Sequence, residues 1–310
     1  MQEMNGKKIQ RFVSVPQTDV TYPETVIIGA REGKTVTISA GVHSREYVGM
    51  EAVNRLASEL EPEQICGRLR LIHAVNYNGL IRRSSDVCPE DGKNLNRAFP
   101  GDDSGSSTQR LAAFLEREVI ADSDAIMDLH SGGFCEGLTP HLYFHGVCKP
   151  EINQASQEMA TYVNVPYAVR SSATNGFYSH AGQCGVPAIL LERGGSGIWS
   201  EEEVLADVQD VKNVLRFLGV LQDGVAAVRQ NPRVLPGGFY EDAPVSGLWY
   251  PKKKVGDRVE KGEELGQIRD AFGQLLFSYA AKEDGVLLYQ TVSLGIEKNR
   301  PMIAYGIMDN

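Results

Sequence analysis

The chain has 310 residues and a formal net charge of −9, with 42% hydrophobic and 23% charged residues. This composition is typical of a soluble globular protein, and the length accommodates a main domain plus a smaller one. The acidic balance argues against nucleic acid or an anionic membrane as the main partner. The sequence up to Arg11 has no apolar leader, no run is long enough to span a bilayer, and five scattered cysteines indicate reduced thiols in a cytoplasmic protein.

The first informative stretch is Gly41-Val42-His43-Ser44-Arg45-Glu46. Residues 36–40 alternate like a half-buried strand before it, and the apolar spacing of residues 47–60 predicts a helix after it. A histidine and a glutamate therefore lie beyond the carboxyl end of a strand, where open α/β sheets bind ligands. A His-x-x-Glu pair alone is usually a surface pair, so the interpretation depends on the rest of the chain.

Two more polar side chains follow predicted strands. The short buried strand predicted at 124–129 ends in His130, and the strongly apolar strand predicted at 186–191 ends in Glu192. Between the first strands and these, residues 76–108 have no sustained periodicity and contain the pairs Arg82-Arg83 and Asn96-Arg97. An irregular stretch of this length in a compact domain is typical of a functional loop.

Predicted helices alternate with these strands, at residues 109–120, 151–163, 177–184 and 201–221. This alternation predicts an α/β fold with a mostly parallel or mixed sheet flanked by helices. Proline and glycine between residues 232 and 238 mark a boundary, after which the chain is rich in β-type patterns with a repeated turn around Gly262 and Asn299. We predict a catalytic domain at 1–230 and a smaller all-β domain, sandwich- or barrel-like, at 231–310.

These polar residues suit hydrolysis of an amide bond. Such a reaction at neutral pH needs a metal-activated water, a base and a positive partner for the oxyanion. His43, Glu46 and His130 are candidate ligands, and Glu192 is an extra carboxylate outside that set. The guanidinium of Arg97, beside Asn96, suits a substrate carboxylate.

The motifs around His43 and Glu46, Asn96-Arg97, Asp-Leu-His130-Ser and Leu-Glu192-Arg resemble, in this order, those of the zinc carboxypeptidase superfamily. The short spacing from Glu46 to His130 and the segment at 94–101 are similar to its succinylglutamate desuccinylase/aspartoacylase branch. The resemblance covers roughly residues 35–200 in motif terms. It implies a zinc-carboxypeptidase-like fold with a β-rich C-terminal domain.

The resemblance also implies roles for individual residues. It assigns Zn²⁺ to His43, Glu46 and His130, general acid/base catalysis to Glu192, and the substrate carboxylate to Arg97 with Asn96. Zinc suits this ligand set, although imidazole and carboxylate also accept cobalt, manganese or nickel.

Further roles are less specific. Either Arg82 or Arg83 is expected to polarise the scissile carbonyl, and Arg45 to face a neighbouring subsite. Tyr178 is a weak candidate for a substrate-clamping tyrosine. His141, four residues from a second histidine on a predicted strand, is interpreted as a lining or solvent-facing residue rather than a ligand of a second metal.

We therefore expect a zinc-dependent hydrolase that deacylates an N-acyl amino acid or similar small carboxylate. One alternative is a metallopeptidase acting on short or cell-wall peptides, which would differ in whether the C-terminal domain narrows the pocket. Another is a non-catalytic metal-binding scaffold, which would be expected to lose a ligand or Glu192. The expected partner is a small molecule rather than nucleic acid or membrane, and the β-rich tail is compatible with homo-oligomer formation.

Overall fold

The structure is a computed structural model that describes residues 6–84 and 86–308. Residues 1–5, 85 and 309–310, which the predicted domain ranges include, lie outside the described residues. The helices are α1 (Tyr47–Glu59), α2 (Tyr77–Arg82), α3 (Ser107–Leu115), α4 (Pro150–Ala160), α5 (Phe177–Gln183) and α6 (Glu201–Phe217). A π-helical turn, Glu116–Ile120, follows α3, and short 3₁₀ turns lie at Pro62–Gln64 and Leu95–Arg97.

The strands fall into two regions of the chain. The first region contains β1 (Lys7–Ser14), β2 (Thr21–Ile28), β3 (Arg31–Ala40), β4 (Cys66–Ile72), β5 (Ala125–His130), β6 (Glu136–Leu138), β7 (His141–His145), β8 (Tyr167–Ser171), β9 (Ala188–Glu192) and β10 (Arg233–Leu235). The second contains β11 (Gly238–Asp242), β12 (Gly247–Pro251), β13 (Arg258–Val259), β14 (Glu264–Arg269), β15 (Leu275–Ala280), β16 (Gly285–Thr291), β17 (Gly295–Ile296) and β18 (Pro301–Ile307).

A mixed sheet forms the centre of the first region, with the order β1-β2-β4-β3-β5-β9-β7-β8-β10 among the described residues. Strands β4, β3, β5 and β9 are parallel, whereas β7 runs antiparallel to β9. The expected α/β sheet flanked by helices is confirmed. The reversal at β7 matters for the site, because β7 brings its amino end to the edge where β9 has its carboxyl end.

Helices cover both faces of this sheet, and strand alternation supplies each face with apolar side chains. In β5, Met127 and Leu129 pack in the core that contains α1 and α6, while Ile126 packs in the core that contains α3 and α5. Full burial of such a side chain contributes about 1.5–3 kcal/mol. The long helix α6 starts at a capping box in which Ser200 and Glu203 satisfy each other's backbone N–H groups.

The second region consists of antiparallel sheets around an apolar core that includes the buried Trp249. Gly262 and Asn299 both adopt positive φ, 83° and 64°, as the repeated turn pattern predicts. Two strands cross the predicted boundary at residue 231: β10 joins the large sheet beside β8, and β6 pairs with β16. The exact division into domains stays a prediction.

Several segments differ in detail from the sequence-based expectations. Helix α2 lies in the stretch for which no regular structure was predicted, and the helix expected at 109–120 changes from α to π at Glu116. Strand β8 was not predicted. Within residues 6–84 and 86–308, no helix combines the length and the apolar character needed to span a membrane.

Candidate active site

Adjacent parallel strands bring four of the predicted site residues to one edge of the sheet. His43 follows β3, Glu46 is the N-cap of α1, and His130 and Glu192 end β5 and β9. His130 and Glu192 lie opposite each other in the β5–β9 register. Gly41, at φ 69°, provides the turn out of β3, where a side chain would approach Ala74 to within 3.0 Å.

The side chains of three potential metal ligands converge where these strands end. Nδ1 of His43 lies 2.7 Å from Oε1 of Glu46, and Nδ1 of His130 lies 2.7 Å from Oε2 of the same carboxylate. The ligand atoms of the three residues all lie within 4.8 Å of one another, so they could hold a metal ion. Two imidazoles and one carboxylate, with a position left open, are a common catalytic zinc set.

The Nε2 atom of each imidazole also has a hydrogen-bond partner. Asn94 Oδ1 accepts a hydrogen bond from His43 Nε2 at 3.2 Å, and Asp128 Oδ2 accepts one from His130 Nε2 at 3.1 Å. Asp128 is itself fixed by the hydroxyl of Ser39, at 2.7 Å. Metal-binding histidines typically carry such partners, because these fix the tautomer and direct the other nitrogen to the metal.

The electrostatics of this cluster favour a positive charge at its centre. Burial opposes ionisation of His130, but Glu46 and Asp128, one at each ring nitrogen, raise its pKa well above the usual value. Burial would also raise the pKa of Glu46, but attraction and hydrogen bonds from His43 and His130 outweigh it and hold this pKa at about 2. The donor set therefore fits a cation, which would replace the protons on the two Nδ1 atoms.

Glu192 lies beside the donor set without belonging to it. Desolvation raises its pKa to about 8, partly offset by the positive charge of His130. A cation held by the neighbouring donors would lower this pKa towards neutrality. A carboxyl group in that range can both accept and release a proton at neutral pH, as a general acid/base requires.

The four residues open into a cavity of about 670 Å³. Asn96 and Arg97 line it from the irregular loop, and the second region lines the opposite side with residues that include Tyr240, Glu241 and Tyr289. Asn96 is buried, and its Oδ1 accepts the Phe177 N–H at 3.0 Å, which ties the loop to α5. The C-terminal region therefore narrows the cavity, which the sequence could not establish.

Three predicted arginines are not brought into the cavity. Arg45 donates to the carbonyl oxygens of Arg83 and Ser84 and lies over the Phe134 ring. Arg82 is exposed at the end of α2, 3.8 Å from a carboxylate oxygen of Glu90, and Arg83 is exposed just after that helix. The helix, absent from the sequence-based expectation, directs both side chains outwards, and the roles predicted for these arginines stay predictions.

A sequence model of the Succinylglutamate desuccinylase/Aspartoacylase catalytic domain matches residues 32–218. The chain belongs to this family. It is 30% identical over 279 residues to N-alpha-acetyl-L-2,4-diaminobutyric acid deacetylase of Halomonas elongata, covering 86% of this chain and 80% of that relative.

Solved structures in the succinylglutamate desuccinylase/aspartoacylase family share the whole fold. The product-bound ectoine utilization protein EutE (DoeB) from Ruegeria pomeroyi is 26% identical, with a TM-score of 0.88 and coverage of 99% of this chain and 97% of that one. A succinylglutamate desuccinylase/aspartoacylase from Rhodobacter sphaeroides is 27% identical, with a TM-score of 0.84 and coverage of 100% and 98%.

Sequence reasoning missed several cavity residues of this family member. Arg170, within β8, lines the cavity, as does Tyr178, which was only a weak candidate. His141, at the amino end of β7, faces Glu192 across the β7–β9 pair. The reasoning considered only the carboxyl ends of strands, whereas β7 and β8 run in the opposite direction to β9. Recognising that reversal would have pointed to the amino end of β7.

His141 has one nitrogen fixed and the other without a partner. Its Nδ1 donates to the carbonyl oxygen of Thr139 at 2.7 Å, while the buried Nε2 has no hydrogen-bond partner among the described residues. Burial lowers the pKa of His141 to about 4, so the ring is neutral at pH 7 and Nε2 is an acceptor. The lining role expected for His141 agrees with its place in the cavity wall.

One wall of the cavity is acidic. Asp86 and Glu136 both line it, and their carboxylate oxygens converge on the same point beside Gly133, where an added Cβ would lie 3.4 Å from each. Burial and then the charge of Glu46 raise the pKa of Glu136. A cationic group at this wall would relieve the repulsion between the carboxylates.

Proposed function

We propose that the protein is a zinc-dependent deacylase that hydrolyses the amide bond of a small N-acyl amino acid. The observation that carries the proposal is the convergence of His43, Glu46 and His130 on one point beside Glu192, inside a cavity that the C-terminal region narrows. Family membership supports deacylation of N-acyl amino acids as the reaction.

Zinc is the ion we propose for the donor set. The two Nδ1 atoms and the Glu46 carboxylate would hold it, with Asp128 and Asn94 fixing the imidazoles from behind. When bound there, Zn²⁺ polarises the scissile carbonyl and lowers the pKa of water. The three side chains line the cavity, so an ion held by them would be reached by a substrate in the cavity.

Glu192 performs the proton transfers in this proposal. Its carboxylate takes a proton from the attacking water as the tetrahedral intermediate forms. It then delivers that proton to the amide nitrogen, which leaves as the free amine when the C–N bond breaks. The pKa raised by burial suits both steps, because the same group must bind and release a proton at neutral pH.

Arg97 and Arg170 are the arginines that line the cavity among the described residues, and we assign the substrate carboxylate to them. A guanidinium binds a carboxylate through paired, charge-assisted hydrogen bonds. Arg97 is positioned by a hydrogen bond of 2.7 Å from its Nη1 to the Asn96 carbonyl oxygen. Asn96 therefore positions Arg97 through its carbonyl oxygen and also lines the cavity itself.

The acidic wall supports a substrate whose side chain carries an ammonium group. Asp86 and Glu136 would accept hydrogen bonds from that group, while Arg97 and Arg170, which also line the cavity, carry the opposite charge and would bind the carboxylate. The Halomonas elongata relative acts on N-alpha-acetyl-L-2,4-diaminobutyric acid, an N-acyl amino acid of this kind. We therefore propose an N-acetyl diamino acid as the substrate class. Because the described cysteines form no disulfide bonds, we also propose a cytoplasmic location.

The test is amine release, by mass spectrometry, from a pool of N-acyl amino acids and short peptides, with zinc-loaded and chelator-treated protein side by side. The pool should contain N-acetyl-diaminobutyrate, N-acetyl-aspartate, N-succinyl-glutamate and dipeptides. Zinc-dependent cleavage that favours N-acetyl-diaminobutyrate is the expected result. Preference for dipeptides would move the protein to the peptidase alternative, and no metal-dependent cleavage would overturn the proposal.

A further inference from the structure

A second group of metal-binding side chains lies outside the cavity. Glu116, His180 and Cys184 place a carboxylate oxygen, an imidazole nitrogen and a thiol sulfur within 4.8 Å of one another. Oε2 of Glu116 lies 2.6 Å from Nε2 of His180, and Sγ of Cys184 lies 3.4 Å from the same nitrogen. Since both neighbours contact one nitrogen, the group is not a relay in which histidine links an acid to a thiol.

Local backbone structure brings these residues together. His180 and Cys184 are one helical turn apart, because the Cys184 N–H closes the last turn of α5 on the His180 carbonyl oxygen at 3.0 Å. Glu116 stands where α3 changes to the π-helical turn, whose wider ring is closed by the Ala121 N–H on the Glu116 carbonyl oxygen.

The distances are close to those of a tetrahedral zinc site. Zn–N of about 2.0 Å and Zn–S of about 2.3 Å imply about 3.6 Å between nitrogen and sulfur, and about 3.3 Å between nitrogen and oxygen. The nitrogen–sulfur distance of 3.4 Å nearly matches, and the nitrogen–oxygen distance of 2.6 Å would have to open. The Glu116 side chain is 39% exposed and Cys184 is also exposed, so a small rotation and entry from solvent are both available.

We propose that Glu116, His180 and Cys184 form a second site for a thiophilic divalent transition metal such as Zn²⁺, with water as the fourth ligand. Thiolate and imidazole together select such metals over Mg²⁺ and Ca²⁺. Binding releases the thiol proton to solvent. The metal would tie the carboxyl end of α5 to the end of α3, and α5 carries Tyr178 in the cavity wall.

Cobalt titration distinguishes this site from the catalytic one. A bound thiolate gives a near-ultraviolet thiolate-to-cobalt charge-transfer band, which His43, Glu46 and His130 cannot give because they contain no sulfur. The unsubstituted protein should bind two equivalents of Co²⁺ and develop the band. Cys184→Ser should lose the band and one equivalent, and should keep its deacylase activity with the catalytic site loaded.

Two controls make the result specific. Cys148→Ser removes a neighbouring thiol, whose sulfur lies 3.2 Å from Gln183 Nε2, and should keep both the band and the second equivalent. His130→Ala should lose the catalytic equivalent but keep the band. A single equivalent without the band in the unsubstituted protein, or a band that survives in Cys184→Ser, would overturn the proposal whatever the outcome for the catalytic site.

Discussion

Asp128 offers the most direct test of the proposed catalytic metal site. This carboxylate is 0% exposed and does not belong to the proposed set of metal ligands. It accepts from His130 Nε2 at 3.1 Å and from the Ser39 hydroxyl at 2.7 Å. Asp128→Asn keeps the shape and an acceptor for His130 but removes the negative charge that makes Nδ1 a stronger ligand. Loss of such a partner weakens metal binding about 10–100-fold, or about 1.4–2.7 kcal/mol.

The assay is zinc affinity by competition with a chromophoric chelator, performed in the Cys184→Ser background so that only the catalytic site is titrated. Asp124→Asn is the matched control, because Asp124 lies beside the amino end of the same strand and accepts the Thr35 N–H at 2.7 Å, far from the donors. We expect weaker zinc binding in Asp128→Asn alone. Equal affinities in Asp128→Asn and its parent, with unchanged circular dichroism, would refute the assignment of the donor set.

Three further predictions concern catalysis, binding and stability. Glu192→Gln should lower kcat by about 10²–10⁴-fold with zinc content unchanged, and near-full activity would contradict its acid/base role. Arg170→Ala should raise KM about 10–100-fold for substrates with a free α-carboxylate, but little for the matching carboxamides, as steady-state kinetics would reveal. Asp207, whose pKa burial raises to about 7 against the attraction of Arg193, stays protonated in the folded state while the unfolded chain ionises near pH 4. The free energy of unfolding should therefore fall as pH rises from about 4 to about 7, by up to about 1.4 kcal/mol per pH unit. Asp207→Asn should flatten this dependence in urea melts, and an unchanged slope would show that Arg193 keeps Asp207 ionised.

The candidate metal and acid/base residues could be predicted because each follows a short apolar run. Residues 125–129 are buried on both faces, as in a central strand, so His130 at their end lies where the parallel strands finish. The same reasoning applies to Glu192 after β9. For these two residues, the local hydrophobic pattern alone is enough to predict the position in the folded protein.

The rest of the cavity depends on contacts between distant segments, which no local pattern reports. His141 enters because β7 reverses direction relative to β9. Arg170 lies near the carboxyl end of β8, a strand that the sequence did not predict. Tyr240 and Tyr289 enter because the C-terminal region lies against the first region, to which β16 is joined through its pairing with β6. The position of Arg82 could not be derived either, since α2 forms where the sequence has no clear amphipathic repeat.

Strand β6 has a consequence for engineering this fold. Residues Glu136–Leu138 belong to the catalytic part of the chain, yet they form a ladder with β16 of the C-terminal region. Glu136 therefore contributes to the acidic wall from a backbone held by both parts. A chimera that exchanges only the C-terminal region between relatives would sever this ladder and disturb the wall it was meant to change. Grafts that carry β6 along with its C-terminal partner should fold better and transfer substrate preference as a unit.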